Sequence, residues 1–78
     1  MNEFSSEAQS VHVGGFYEHF KGLPYKVLAI ARHSETLEEL VIYQALYGEK
    51  GVWVRPVKMF TETITREGKT QPRFQYKG

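Results

Sequence analysis

Turn residues divide this chain into short β-prone runs, and that punctuation limits the folds open to it. Gly14-Gly15, Lys21-Gly22-Leu23-Pro24, Gly48-Glu49-Lys50-Gly51 and Glu67-Gly68-Lys69 are the main breaks. Glycine supplies backbone angles that other residues reach only at a cost, and proline cannot donate to a β-ladder. Between the breaks, Phe16-Tyr17-Glu18-His19-Phe20 predicts a short strand, with Tyr17 and His19 on one face. Tyr25 to Arg32 predicts a second strand, in which Val27, Leu28 and Ile30 form a run suited to burial on more than one face. Val52-Trp53-Val54 predicts a strand that ends at Pro56, and Val57 to Phe60 a single helical turn behind that proline. Thr61 to Thr65 is β-prone, and Arg73-Phe74-Gln75-Tyr76 predicts a last strand.

The segment from Thr36 to Tyr47 supports two readings. Thr36-Leu37-Glu38-Glu39 has the form of a helical capping box, with Leu37, Leu40, Val41 and Leu46 as a loose helical stripe and Gly48 as its stop. Against this, Val41-Ile42-Tyr43 is β-branched and aromatic, and a four-residue link flanked by glycines separates Ala45-Leu46-Tyr47 from Val52-Trp53-Val54. That link is a hairpin signal. Several short strands with Gly/Pro turns predict a mainly β, single-domain SH3-like barrel of about five strands with one short helical turn. The domain is expected over residues 14–76. Residues 1–13 are expected to be a flexible N-terminal tail, since they are polar apart from a few scattered apolar side chains.

With 78 residues and no cysteine, the domain must fold by packing alone, and cysteine nucleophiles and cysteine metal sites are excluded. Five Tyr, five Phe and one Trp provide large buried area per residue, which lets a small core form. The formal charge is only +1, with both signs interspersed, so nucleic acid is a partner that composition admits but does not favour. No apolar run reaches the roughly 20 residues of a membrane span, and the N-terminus lacks the features of a secretion signal. The expected location is cytoplasmic, with no membrane association, and the expected state is a monomer or weak dimer.

Several blocks carry a family resemblance. Gly15-Phe16-Tyr17-Glu18-His19-Phe20-Lys21-Gly22, Tyr25-Lys26-Val27, His33-Ser34-Glu35-Thr36, Val41-Ile42-Tyr43-Gln44-Ala45-Leu46-Tyr47-Gly48, Trp53-Val54-Arg55-Pro56, Met59-Phe60 and Pro72-Arg73-Phe74 together resemble the bacterial family called domain of unknown function 1653. The resemblance runs from Gly14 to Phe74. It implies an SH3-like barrel and supports the strand reading of Glu39 to Tyr47. It implies no activity.

The candidate ligand-binding residues are His33, Glu35, Tyr43, Tyr47, Trp53 and Arg55. Trp53 and Arg55 share a strand face, and Tyr43, Ala45 and Tyr47 share one as well. An arginine fork suits a carboxylate or phosphate, and it stacks on aromatic rings. The competing role for Arg55 is an internal salt bridge to Glu35 or Glu38. His33 is a natural acid–base group, although Ser34-Glu35-Thr36 also suits a plain turn held by its hydroxyls. Tyr17, His19 and Arg73 are secondary candidates. The tyrosines and Trp53 could also stack bases, with Lys21, Lys26, Arg32 and Lys58 on phosphates, or else fill the core. No metal site, catalytic set or cofactor is expected, because the chain has no Asp, no HExxH and no phosphate loop. The expected function is a small binding module whose aromatic/Arg pocket takes a small anionic or planar ligand or a peptide, its partner being an unknown small molecule or protein. Weak RNA or nucleic-acid binding is the alternative, and a small acid–base enzyme is the least favoured reading.

Overall fold

A computed structural model describes residues 3–78. The elements in chain order are α1 (Ser6–Gln9), β1 (Phe16–His19), β2 (Pro24–Arg32), β3 (Glu39–Ala45), β4 (Val52–Pro56), α2 (Val57–Phe60), β5 (Thr63–Arg66), β6 (Lys69–Pro72) and β7 (Phe74–Tyr76). The fold is mainly β, with the helical turn at Val57–Phe60 where Pro56 predicted it. Among the described residues there are seven strands rather than about five. One antiparallel sheet has the order β4-β3-β2-β1-β7, and β5 and β6 form a separate hairpin. Among the described residues β4 and β7 are the two edges of that sheet, and no ladder joins them. No helix among the described residues is long and apolar enough to cross a membrane.

The strand reading of Glu39 to Ala45 prevails over the helical one because its side chains alternate as a half-buried strand must. Val41, Tyr43 and Ala45 are buried, while Leu40, Ile42 and Gln44 lie between them on the outer face and are only half-buried. Two positive-φ residues, Glu67 and Gly68, make the tight β5–β6 turn, with Arg66 opposite Lys69. That is the two-residue hairpin geometry whose twist matches paired strands.

A bulge explains the apolar run in β2. Val27 pairs with Tyr43 and Ala29 with Ile42, which leaves Leu28 as the extra residue. An extra residue reverses the parity of everything beyond it. Tyr25 and Val27 therefore share the inner face with Ile30, three positions on, rather than with Ala29. The core forms on this inner face. Phe60 and Val57 of α2 cover Val27, Val41, Tyr17 and Phe74, all nearly inaccessible to solvent. Phe60 stacks on Phe74 with ring centroids 4.2 Å apart and meets Tyr17 edge-on at 5.3 Å.

The N-terminal segment departs from expectation. Positions 1 and 2 lie outside the described residues, but the rest of the stretch expected to be a flexible tail is packed. Ala8 and Val11 belong to the core, and Phe4 packs against it. Ser5 caps α1 by accepting from the Ala8 N–H at 3.1 Å. Its own N–H and hydroxyl donate to the Glu39 carboxylate at 2.7 and 2.6 Å, which holds that carboxyl below its usual range. Composition missed this because only two small apolar side chains do the burying, among polar neighbours that face solvent. Where the segment meets β1, a Cβ on Gly15 would lie 2.7 Å from the Tyr76 ring, so glycine is needed for the close approach.

Two stability predictions follow from this packing. Phe60→Ala should destabilise the fold by about 3–5 kcal/mol, measured by urea denaturation. Ala8→Asp should cost at least about 2 kcal/mol by placing a charge in the core, whereas Ser6→Asp on the exposed side should stay within about 0.5 kcal/mol. Equal effects from the two substitutions would show that α1 does not pack as described.

Candidate functional site

The inner face of the sheet is capped at one end and open at the other. Helices α1 and α2 cover it over Val27 and Val41. Beyond Phe60 and Phe74, Tyr47 and Trp53 reach solvent. Cross-strand partners lie on the same face, so the pairs Tyr43–Trp53 and Val41–Arg55 place Trp53 and Arg55 on the inner face with the core. Edge strand β4 overhangs the part of that face which no helix covers. Trp53 is consequently 61% exposed although it sits opposite a buried tyrosine.

Three tyrosines line this open mouth. The Tyr25 ring meets Tyr43 and Tyr47 edge-on, at 5.4 and 5.5 Å. The Tyr25 and Tyr47 hydroxyls hydrogen-bond to each other. Burial and that hydrogen bond push the Tyr25 hydroxyl up to about 12. Tyr25 and Tyr43 are buried, whereas Tyr47 is 39% exposed and carries the cluster to the surface.

Arg55 is set by two contacts. Its Nε–H donates to the Tyr43 hydroxyl at 3.3 Å, and its guanidinium lies 5.7 Å from the centre of the Phe74 ring. Among the described residues Arg55 forms no ion pair, so the salt bridge to Glu35 or Glu38 weighed from the sequence is not its fixing contact. Tyr43 orients the guanidinium without neutralising it. Arg73 differs: it pairs with Glu62, through Nε at 2.8 Å and a terminal nitrogen at 2.6 Å. Its charge is already matched.

His19 completes the margin. It packs against Phe20, Phe74 and Tyr25, and its Nδ1 accepts the Lys21 N–H at 3.2 Å. Burial lowers its pKa, with Arg73, Arg55 and Lys21 adding repulsion. A neutral imidazole, whose unprotonated Nδ1 accepts the Lys21 N–H, is the form this surrounding favours.

The structure thus brings Tyr43, Tyr47, Trp53 and Arg55 together, with His19 and Arg73 beside them. His33 and Glu35 are placed otherwise, in the β2–β3 turn. The His33 Nδ1 accepts from the N–H groups of Glu35 and Thr36 at 3.0 and 3.3 Å, and Thr36 Oγ1 accepts from the Glu38 N–H. These local bonds hold a turn in which Leu37 adopts φ 64°. Tyr17 is buried at the capped end, against Phe60, and its hydroxyl accepts the His12 N–H. The sequence reading did not place Phe74 or Glu62 at the site. Their parts depend on pairings between β1 and β7 and between β7 and the β5 region, for which no local signal exists.

The mouth is an open surface rather than an enclosed cavity. Two grooves, of about 420 and 540 Å³, flank the N-terminal segment, and neither includes Trp53 or Arg55. The first is lined by Ser5 and Glu7 of the N-terminal segment, by Glu38 and Glu39, and by Val57 and Lys58 of α2. No cluster of three or more potential metal-ligating side chains occurs among the described residues.

Fold and site together define a small mainly β domain with one aromatic mouth around an unneutralised arginine. The chain belongs to the DUF1653 family, described as proteins of unknown function, whose sequence profile matches residues 15–76. It is similar to a crystal structure of a DUF1653 protein from Bordetella bronchiseptica, with 37% identity and a TM-score of 0.82 over 91% of this chain and 92% of that one. No curated protein matches it.

The His19 environment gives a signed prediction. The folded pKa lies below the unfolded value of 6.5, so its contribution to stability is complete above pH 6.5 and declines as pH falls through the folded value. Arg73→Gln removes one source of repulsion and should raise the His19 pKa in an NMR titration of the imidazole protons. A fall would contradict the placement of Arg73 beside it. Tyr25 runs the other way: its contribution is complete below pH 10 and is lost between pH 10 and about 12. Tyr47→Phe should shift the Tyr25 transition downward in a spectrophotometric titration.

Proposed function

We propose that this protein is a bacterial, cytoplasmic, SH3-like binding module whose open mouth takes a small planar ligand bearing a negative charge. One observation carries the reading. Arg55 is oriented by a tyrosine hydroxyl and an aromatic ring, has no carboxylate partner among the described residues, and lies on the same face as an exposed tryptophan. An ordered guanidinium without a counter-charge loses little on meeting an anion, and its planar fork matches a carboxylate or phosphate. Trp53 and Tyr47 offer ring surface on which a planar group can stack. The absence of cysteine supports a reducing compartment, the antiparallel five-stranded sheet supports the SH3-like class, and the relative from Bordetella bronchiseptica supports a bacterial source.

The same surface offers less to nucleic acid. Of the rings considered for base stacking, Tyr17, Tyr25 and Tyr43 are buried, which leaves Tyr47 and Trp53. Three of the four proposed phosphate contacts sit over other rings: Lys21 over Phe20, Lys26 over Phe16 and Arg32 over Phe4. They make no single stripe. An acid–base enzyme built on His33 and Glu35 has less support, since the hydrogen bonds described for both lie within the turn.

Trp53 is the sole tryptophan, so its fluorescence reports directly on the mouth. Benzoate, nucleoside monophosphates, short peptides and short RNA would be titrated in turn. The expected result is saturable quenching by a planar anion, with amide shifts at Tyr47 and Arg55. Arg55→Ala should weaken that binding about 10- to 100-fold, equivalent to about 1.5–3 kcal/mol. Binding unchanged in Arg55→Ala, or no response from any of these probes, would refute the assignment. A response confined to RNA that falls steeply with salt would transfer the site to nucleic acid.

A further inference from the structure

We propose that the free edge of β4 pairs antiparallel with β4 of a second copy of this chain, in a register centred on Val54.

The hydrogen-bond parity of β4 defines what this edge offers. The Ala45 N–H donates to the Gly51 carbonyl at 3.0 Å. In an antiparallel ladder, hydrogen-bonded and non-hydrogen-bonded pairs alternate. Counting along the register, Trp53 and Arg55 direct their backbone groups to Tyr43 and Val41, while Val52, Val54 and Pro56 direct theirs to the open edge. Proline therefore stands where its missing N–H costs the β3–β4 ladder nothing. The open edge presents N–H and C=O at Val52 and Val54, and a C=O alone at Pro56.

This array is self-complementary about Val54. The two Val54 residues would exchange a reciprocal pair of hydrogen bonds. On either side, the Val52 N–H would meet the Pro56 carbonyl of the second copy. The ladder stops there because the chain turns into α2. In the same register Trp53 lies directly opposite Arg55 of the second copy, twice over by symmetry. That places an aromatic face against a guanidinium in the closely spaced, non-hydrogen-bonded pair, which favours attraction. Main-chain donors and acceptors would admit any extended strand, but the twofold Trp53–Arg55 pairing is supplied by this chain's own sequence, which is the reason to assign the edge to a second copy.

The edge carries only part of the usual protection against pairing, the inward-facing Arg55 and the terminal Pro56. No lysine interrupts Val52–Arg55, and the one proline sits at its end. On the outer face Val52 and Val54 are 57% and 56% exposed. They sit opposite Gln44 and Ile42 of β3, so Val54 and Ile42 continue one apolar strip that the paired copy would extend. The opposite edge is different: β7 has only three residues, and the His12 ring stacks on Tyr76 at 3.8 Å. The surface is small, so the pairing is weak and concentration-dependent.

The absence of cysteine makes a direct test simple. Paired Cα atoms in a hydrogen-bonded position lie about 5.5 Å apart, within disulfide reach. Single variants Val54→Cys, Val52→Cys and Val13→Cys would be oxidised at equal concentration, the last as an exposed control away from β4. Val54→Cys should cross-link at least tenfold faster than either. Sedimentation of the cysteine-free protein should show mass rising toward a dimer between micromolar and millimolar concentration, and Val54→Lys should suppress the rise while retaining the native circular dichroism. Fastest cross-linking at Val52 would overturn the register. Equal rates at all positions, or a monomer throughout the concentration range, would overturn the pairing and leave the edge to a strand from another protein. None of these readouts depends on ligand binding at Arg55.

Discussion

The contact on which the rest depends is the stack of Phe60 on Phe74. Phe60 belongs to a four-residue helix that no side chain caps at its N-terminus, and Phe74 begins a three-residue edge strand. Neither element is stable alone, because a single helical turn and a short edge strand recover little for the entropy of ordering them. Parallel rings at 4.2 Å join the two across the inner face of the sheet. Tyr17 and Tyr43 then pack around the pair, and the opposite edges β4 and β7 are drawn together through the Arg55–Phe74 contact without a hydrogen-bonded ladder.

That arrangement covers only part of the inner face, and the mouth is its consequence. Two short helices hide Val27 and Val41 but do not extend over Trp53. The tyrosines resolve the boundary between core and solvent, since each has an apolar ring and a polar tip. Tyr43 and Tyr25 bury their rings, and their hydroxyls satisfy Arg55 and Tyr47. The outcome is a cation fixed by neutral groups. A carboxylate in the place of the Tyr43 hydroxyl would have neutralised it, as Glu62 does for Arg73.

The local signals in the chain were read well where they are local. The glycine turns, Pro56 with the helical turn behind it, and the strand character of Val41-Ile42-Tyr43 all appear at the expected positions. The β5–β6 hairpin was half legible: the turn at Glu67-Gly68 was clear, but Lys69–Pro72 is polar and has no apolar alternation to mark it as a strand. The β2 bulge was not legible, since one unpaired residue at Leu28 reverses the facing of those after it, and only the partner strand reveals the offset. The N-terminal segment was misjudged for a related reason. Ala8 and Val11 gain their burial from α2 and the sheet, which lie far along the chain.

The candidate site shows the same division. Alternation along single strands was enough to group Tyr43 with Tyr47 and Trp53 with Arg55, because side-chain facing within a strand has a fixed period. His33 and Glu35 were grouped with them by proximity in sequence, and the hairpin instead confines their hydrogen bonds to its own turn. Whether Arg55 would meet a carboxylate or a hydroxyl, and whether Trp53 would be core or surface, depended on β3–β4 register and on how far α2 reaches across the sheet. Short-range chemistry therefore determined the turns, the strands and the residue types available for binding. Tertiary structure alone decided which of them face a common opening, because pairing distant strands is what converts a pattern along the chain into a surface.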